Sequence, residues 1–266
     1  GKGFTAVRGI VKGQNLHTVC EEAHCPNISE CWSRGTATFI ILGDVCSRRC
    51  RFCAIKKGKP IEPDYKEPHR IAESISKMKL KYAVITSVTR DDLIDGGAEI
   101  WANTILETRK LNPDTSIEVL IPDFEGKAEL YQKVFICRPE VLNHNIETVP
   151  RLYSQVRPQA NYQNSLKLLK DAKDFGLKTK TGLMVGIGET KLEIIDCFKD
   201  LRNIYVDIVT IGQYLQPTKK HLPVARFVHP DEFAEYKKIG LEMGFEHIES
   251  APLVRSSYHA EEAVLS

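Results

Sequence analysis

No apolar run in the 266 residues approaches the roughly 20 needed to span a bilayer, so there is no candidate transmembrane helix. Charge of one sign is also missing. Against 37 Lys and Arg stand 35 Asp and Glu, and a net +2 is too small a surplus to point to nucleic acid. There is no internal repeat, low-complexity tract or Gly/Ser linker to mark a domain boundary. The opening residues, Gly1-Lys2-Gly3-Phe4-Thr5-Ala6-Val7-Arg8, contain no apolar segment of the secretory-signal kind. These absences lead to the expectation of a cytoplasmic protein with neither membrane nor nucleic acid as a partner. A single domain is expected, since α/β barrels run to about 200–250 residues without dividing.

What is present alternates. Apolar, β-rich runs occur at 38–42, 82–86, 117–121, 141–145, 181–185, 207–211 and 245–248. Between several of them lie stretches with helical spacing, at 69–78, 99–110, 165–175, 192–201 and 231–243. Prolines stand before the first and last of these, and Gly176 and Gly244 follow the third and last. Strands alternating with helices of this length predict parallel βα units. The expected fold class is α/β, a partial (β/α)6 TIM-type barrel with N-terminal and C-terminal extensions. Residues 1–36 form the first extension, 37–250 the barrel and 251–266 the second. In such a barrel the chemistry belongs on loops after the C-terminal ends of strands.

The cysteines are concentrated. Six of the eight fall between Cys20 and Cys53, while Cys137 and Cys197 stand alone and read as packed thiols. Six clustered cysteines in a small secreted domain would suggest disulfides, but an α/β chain without a secretory signal favours reduced thiolates holding metal. Directly after the first predicted strand comes Gly43-Asp44-Val45-Cys46-Ser47-Arg48-Arg49-Cys50-Arg51-Phe52-Cys53. Cys46, Cys50 and Cys53 are spaced C-x3-C-x2-C, so the loop can wrap a [4Fe–4S] cubane with each thiolate on a different iron. The fourth iron is then left open for substrate. A structural zinc site, closed by His24 or another cysteine, is the alternative. Zinc usually takes paired C-x2-C or Cys/His sets, which this spacing is not. A second group, Cys20, Cys25 and Cys31, is spaced C-x4-C-x5-C and admits either a second cluster or a zinc knuckle with His24.

The C-x3-C-x2-C spacing with an aromatic before its last cysteine resembles the radical S-adenosylmethionine (SAM) enzymes. With C-x4-C-x5-C upstream, the chain resembles the lipoyl synthase family within them. Further passages carry the same resemblance: Glu22-Ala23-His24-Cys25-Pro26-Asn27, Thr86-Ser87-Val88-Thr89-Arg90-Asp91-Asp92-Leu93, Asp95-Gly96-Gly97-Ala98 and Arg255-Ser256-Ser257-Tyr258-His259-Ala260. It covers nearly the whole chain, and the family's N-terminal leader is expected to be shorter here.

The resemblance implies a radical SAM sulfurtransferase that inserts sulfur at C6 and C8 of a protein-bound octanoyl-lysine chain, giving the lipoyl cofactor. Its cofactors would be two [4Fe–4S] clusters and S-adenosyl-L-methionine. Cys46, Cys50 and Cys53 would hold the cluster that cleaves the sulfonium to a 5′-deoxyadenosyl radical. Cys20, Cys25 and Cys31 would hold the auxiliary cluster that supplies the sulfur. Its fourth ligand would be Ser257, with Ser256 second. An alkoxide matches iron in a sulfide cluster less well than a thiolate does, which suits a cluster meant to be dismantled. Asp95, Gly96 and Gly97 would contact the methionine part of SAM, although a turn and helix start satisfy the same residues. Asn145 and Glu147 could bind ribose hydroxyls or serve as caps, and Gly186 to Glu189 resembles the adenine-side glycine motif. Arg90, Asp91 and Asp92 orient loops or recognise substrate. The implied partners are octanoylated lipoyl-carrier domains (2-oxoacid dehydrogenase E2 subunits and the glycine cleavage H protein), a ferredoxin- or flavodoxin-like reductant and iron–sulfur repair factors. The rival readings are another radical enzyme whose auxiliary cluster only transfers electrons, and a non-catalytic protein with two zinc sites.

Overall fold

The computed structural model describes residues 13, 16–22, 27–258 and 260–261, apart from the side chains of Cys20 and Ser33. The chain divides into two compact units. The first comprises Gly1–Arg48, Ile55–Val141 and His259–Ser266, and the second Arg49–Ala54 and Leu142–Tyr258.

The first unit begins, among the described residues, with β1 (His17–Thr18), α1 (Val19–Glu22), α2 (Ile28–Ser33) and β2 (Thr36–Ile41). Next come the short β3 (Val45–Cys46) and β4 (Lys56–Lys57), then α3 (Glu67–Met78), β5 (Tyr82–Ser87), α4 (Ala98–Leu111), β6 (Ser116–Leu120) and α5 (Ala128–Ile136). β2 pairs in parallel with β5 from Thr36↔Tyr82 to Ile41↔Ser87, and β5 with β6 from Tyr82↔Ser116 to Thr86↔Leu120. Every residue of β2 is buried, which accounts for its nearly unbroken apolar reading: strands of covered parallel sheets do not alternate. β1 runs antiparallel on β2, with His17 opposite Ile40 and Thr18 opposite Phe39. α4 turns Ile100, Trp101, Thr104, Ile105 and Thr108 inward, one stripe at helical period. Asn112 at its end donates to the Ala72 carbonyl of α3 at 2.9 Å, fixing the two helices side by side.

At the start of α3, Glu67 is buried and accepts the Leu42 N–H at 2.6 Å. Burial pushes its carboxyl above the usual glutamate range, against the pull of that N–H and of Arg70. A carboxyl raised in the folded state favours folding while protonated, and this contribution fades as pH rises through the raised value. Glu67→Gln accepts the same N–H without a charge. It is expected to raise stability at neutral pH and to flatten the fall in denaturant midpoint as pH rises above the ordinary glutamate range. An unchanged slope would show that Glu67 does not govern it.

The second unit contains the end of β7 (Val141–Asn143), α6 (Tyr153–Val156), α7 (Tyr162–Asp174), β8 (Lys178–Val185), α8 (Lys191–Asn203), β9 (Ile208–Gln213), α9 (Pro230–Glu242) and β10 (His247–Ser250). β8 pairs in parallel with β9 from Lys180↔Ile208 to Val185↔Gln213, and β9 with β10 from Ile208↔His247 to Ile211↔Ser250. The helix starts are written in the sequence. The Asn161 side chain accepts from the Gln163 and Asn164 amides, Thr190 and Glu193 form a capping box, and Pro230 opens α9. The core joins Leu169, Phe198, Val209, Ile211, Phe233, Phe245 and Ile248, with Phe198 and Phe245 edge to face at 5.6 Å. Among the described residues, no helix is long and apolar enough to cross a membrane.

Candidate active site

The cysteine loop leaves β2 at Leu42, and the first unit holds its first part. β3 and β4 pair in parallel (Val45↔Lys56, Cys46↔Lys57), closing the base of the loop, and Gly58 N–H reaches the Cys46 carbonyl at 3.1 Å. Cys46 is half-buried and its Sγ accepts the Thr89 N–H at 3.3 Å. Ser47 donates to the Thr89 carbonyl through its N–H at 3.0 Å and its hydroxyl at 2.9 Å, and its Oγ accepts the Asp91 N–H at 3.1 Å. Arg48 is 3% exposed. Its Nε and Nη2 grip both oxygens of Asp91 at 2.7 and 3.0 Å, and Nη2 also reaches Asp123 Oδ1 at 2.6 Å. Arg90, equally buried, donates to the Leu42 and Ile61 carbonyls and pairs with Asp92. Of the two roles open to Arg90, Asp91 and Asp92, loop orientation is therefore the one their contacts serve.

The second unit holds the rest of the loop. Arg51 N–H donates to the Val156 carbonyl at 2.9 Å, Leu222 N–H to the Arg51 carbonyl at 3.1 Å, and Arg49 N–H to Gln159 Oε1 at 2.6 Å. Phe52, the aromatic of the motif, packs on the apolar core of this unit. Cys50 and Cys53 are half-buried, and Cys53 N–H donates to the Cys50 carbonyl at 3.3 Å. The Cys53 carbonyl also lies 3.0 Å from His221 Nε2. A carbonyl only accepts, so Nε2 carries the proton and Nδ1 faces the Thr218 hydroxyl at 2.9 Å. Among the described residues, no three His, Cys, Asp or Glu side chains converge as ligands of one metal ion. A cubane has a different requirement, since it spreads its thiolates over separate irons.

The expected SAM contacts divide between the units. In the first, Asp95 accepts the Gly97 and Glu99 amides at 2.9 and 3.0 Å, so its carboxylate caps α4. Gly97 sits at φ +84°, and a Cβ there would meet Leu42 Cδ1 at 2.5 Å, which explains the glycine. In the second, Asn145 Nδ2 donates to Glu147 Oε1 at 3.1 Å, while Asn145 Oδ1 is buried with no hydrogen-bond partner. Desolvation raises the Glu147 carboxyl, opposed by Arg157 and by Asn145. A Cβ on Gly182 would come within 2.7 Å of Asn145 Oδ1, so this glycine keeps the space around the orphaned acceptor open. Glu189 accepts the Gly186, Ile187 and Gly188 amides at 2.6, 2.9 and 3.1 Å. Both Glu189 oxygens thus accept within its own loop and shape that backbone. Gly186 (φ +90°) has room for no side chain, with Gln213 Nε2 2.3 Å from an added Cβ.

Of the second cysteine group, Cys31 is half-buried on α2, and Cys20 lies in α1 with its side chain outside the described atoms. Cys25 and His24 lie outside the described residues. Ser256 and Ser257 are half-buried in a turn closed by Tyr258 N–H on the Arg255 carbonyl at 2.9 Å. Cys197 is buried, and its thiol is pushed up to about 12 by desolvation. Burial also raises that of Cys137, in keeping with packed thiols.

A sequence profile of the Radical SAM superfamily matches residues 40–201. The lipoyl synthase of Rubrobacter xylanophilus is 56% identical over 264 residues, 98% of this chain and 82% of that protein. That of Caldicellulosiruptor saccharolyticus is 58% identical over 255 residues, 95% of this chain and 90% of the relative. Among solved structures, Streptococcus suis SuiB bound to S-adenosylmethionine shares the fold, with TM-score 0.62 at 10% identity over 85% of this chain and 54% of that one. Identity at this level over nearly the full length, together with the cysteine loop after β2, places the chain in the lipoyl synthase family of the radical SAM superfamily.

Proposed function

We propose that the chain inserts two sulfur atoms, at C6 and C8 of an octanoyl chain amide-linked to a lysine of a lipoyl-carrier domain, and takes both from a second, auxiliary [4Fe–4S] cluster. Such C–H bonds carry no acidic proton, so no general base can open them. When bound, the first cluster and SAM supply one-electron cleavage to a carbon radical that can. Cys46, Cys50 and Cys53 hold that cluster, and Thr89 N–H on Cys46 Sγ contributes one of the hydrogen bonds to sulfur by which proteins tune cluster potential. Asn145 Oδ1 offers an unused acceptor beside Glu147 that would serve the nucleoside side of SAM, and Gly96 and Gly97 would serve its methionine side.

The observation that carries the reading is that the two cysteine groups flank one strand. Cys31 lies five residues before β2 begins and Cys46 five residues after it ends. The strand between them spans roughly 17 Å at about 3.3 Å per residue. The antiparallel pairing of β1 carries the chain from opposite Ile40 toward the start of β2, so the α1 backbone with Cys20 heads for the same end as Cys31. Cys20, Cys25 and Cys31, on an N-terminal extension of residues 1–36, hold the auxiliary cluster together with Ser257 of a C-terminal extension of residues 251–266. An octanoylated E2 or H-protein domain, a small iron–sulfur or flavin reductant, and cluster-repair factors are the required partners.

Single-turnover conversion of an octanoylated carrier peptide by the anaerobically reconstituted protein tests this. Cys25→Ala is expected to keep 5′-deoxyadenosine formation largely intact and to yield no lipoyl product. Ser257→Ala should lose product while Ser256→Ala retains it. Lipoyl product from Cys25→Ala protein with a single cluster would remove the auxiliary site as sulfur source. Loss with Ser256→Ala alone would move the ligand by one residue.

A further inference from the structure

We propose that Glu261 is a positioning residue for the auxiliary cluster: a latch that fastens the chain just beyond the serine motif to the turn just beyond Cys31. The proposal deepens the assignment of Ser257 as ligand and rests on it. Within the first unit, Glu261 Oε1 receives both Nε and Nη2 of Arg34 at 2.8 Å, and Oε2 accepts the Thr36 hydroxyl at 3.2 Å. Both carboxylate oxygens are thus engaged, and the Glu261 side chain is only 16% exposed. Beside it, Ala260 is buried against Tyr82 and Val84 of β5, the strand that pairs with the start of β2. An exposed single ion pair holds little. Here Arg34 is 38% exposed, but two of its nitrogens meet one oxygen of a carboxylate whose other oxygen takes the Thr36 hydroxyl, beside a buried methyl, and together these contacts fix a position.

Both ends of the latch lie next to proposed cluster ligands. Arg34 caps α2, and its backbone N–H donates to the Cys31 carbonyl at 3.1 Å. Glu261 follows Ser257 by four residues, a tether of at most about 14 Å of extended chain. Fixing Glu261 to Arg34 and Thr36 therefore anchors, four residues on, the chain that carries the Ser257 hydroxyl. An alkoxide matches iron poorly and depends on such restraint more than a thiolate would.

The experiment uses the full chain, anaerobically reconstituted, and compares Glu261→Arg, Glu261→Gln, Ser257→Ala and the swapped pair Arg34→Glu with Glu261→Arg. The readouts are the rate at which a ferrous chelator removes iron without substrate, deuterium uptake across residues 255–261, and 5′-deoxyadenosine formation. Glu261→Arg is expected to speed iron release by roughly 10- to 100-fold, the scale on which outer-sphere partners affect metal sites. It should also raise deuterium uptake and leave SAM cleavage unchanged. Glu261→Gln, which keeps the shape and loses the charge, should fall between it and the parent, and the swapped pair should return toward the parent. Parent-like release and uptake in Glu261→Arg, or a swapped pair as fast as the single variant, overturns the latch. If Ser257→Ala releases iron no faster than the parent, the serine assignment fails and the proposal with it. If Ser257→Ala is fast and Glu261→Arg is not, the latch alone fails.

Discussion

Cys50→Ala is expected to reduce SAM cleavage to the background of a protein-free assay. Two remaining thiolates do not retain a cubane in the geometry that leaves one iron open, and no other residue in the loop between Cys46 and Cys53 offers a soft ligand. On the two-cluster reading, the iron content of reconstituted protein falls from about eight to about four per chain, because the auxiliary site draws on a separate stretch of sequence. The peptide around Cys50 should keep its place: Arg51 is tied to Val156 and Leu222 through its backbone, and Phe52 stays in the core. The variant should therefore fold with a melting temperature near that of the parent apoprotein. 5′-Deoxyadenosine formation at near-parent rates would show that Cys46, Cys50 and Cys53 do not hold the SAM-cleaving cluster.

The strands that sequence pattern locates well are those whose residues are buried on both faces. β2 and β5 emerge within two residues of their expected bounds for this reason. β8 begins three residues earlier than expected, because Lys178, Thr179 and Lys180 read as loop while Thr179 and Lys180 are buried strand residues. β7 ends at Asn143, two residues early. His144 N–H then turns to the Lys180 carbonyl, and Glu147 adopts φ +65°. β10 lies two residues later than expected, since Phe245 is a core residue before the strand and pairing starts at His247. α5 was invisible for a local reason: Lys127 at its start makes no side-chain cap, and the two residues before Gly126 have positive φ. Division into two units, with the cysteine loop shared between them, has no counterpart in composition or linkers.

The cysteine loop was legible because its ligands are adjacent in sequence and their spacing is a chemical constraint. The groups that hold the loop are distant, and pattern reading cannot pair them. Asp123 follows Arg48 by 75 positions and His221 follows Cys53 by 168. The only signal for Asp123 was its place on the loop after β6, at the end of a strand where the chemistry of such folds collects. Glu189 and Asp95 show the opposite limit. Acidic residues beside glycines look alike whether they face a cofactor or cap their own backbone, and only coordinates place their oxygens on neighbouring amides.

Arg48→Met should give the largest loss of stability of any substitution at the cysteine loop. Arg48 and Asp123 are 3% and 1% exposed, with Asp91 more open; one guanidinium bridges both carboxylates, and Asp123 Oδ1 also accepts the Glu125 N–H at 3.0 Å. Forming a buried ion group of this kind brings little net stability, because desolvation offsets attraction; breaking it is expensive, because the buried carboxylate loses its counter-charge. Without Arg48, Asp123 must accept that penalty or take up a proton. The expected cost is about 3–5 kcal/mol, or roughly 10 °C in melting temperature for a chain of this size. Arg48→Lys should recover only part of it, since an ammonium is a point charge that cannot fork onto Asp91 while reaching Asp123. Arg48→Met combined with Asp123→Leu should recover more, as both buried charges are then gone. A functional loss should accompany the structural one: Ser47 and Cys46 take their positions from the same Thr89–Asp91 loop that Arg48 fastens, so the cluster signal in electron paramagnetic resonance should broaden even in protein that remains folded. A melting temperature for Arg48→Met within about 2 °C of the parent would mean that water reaches Asp123 and that this ion group is not what holds the loop.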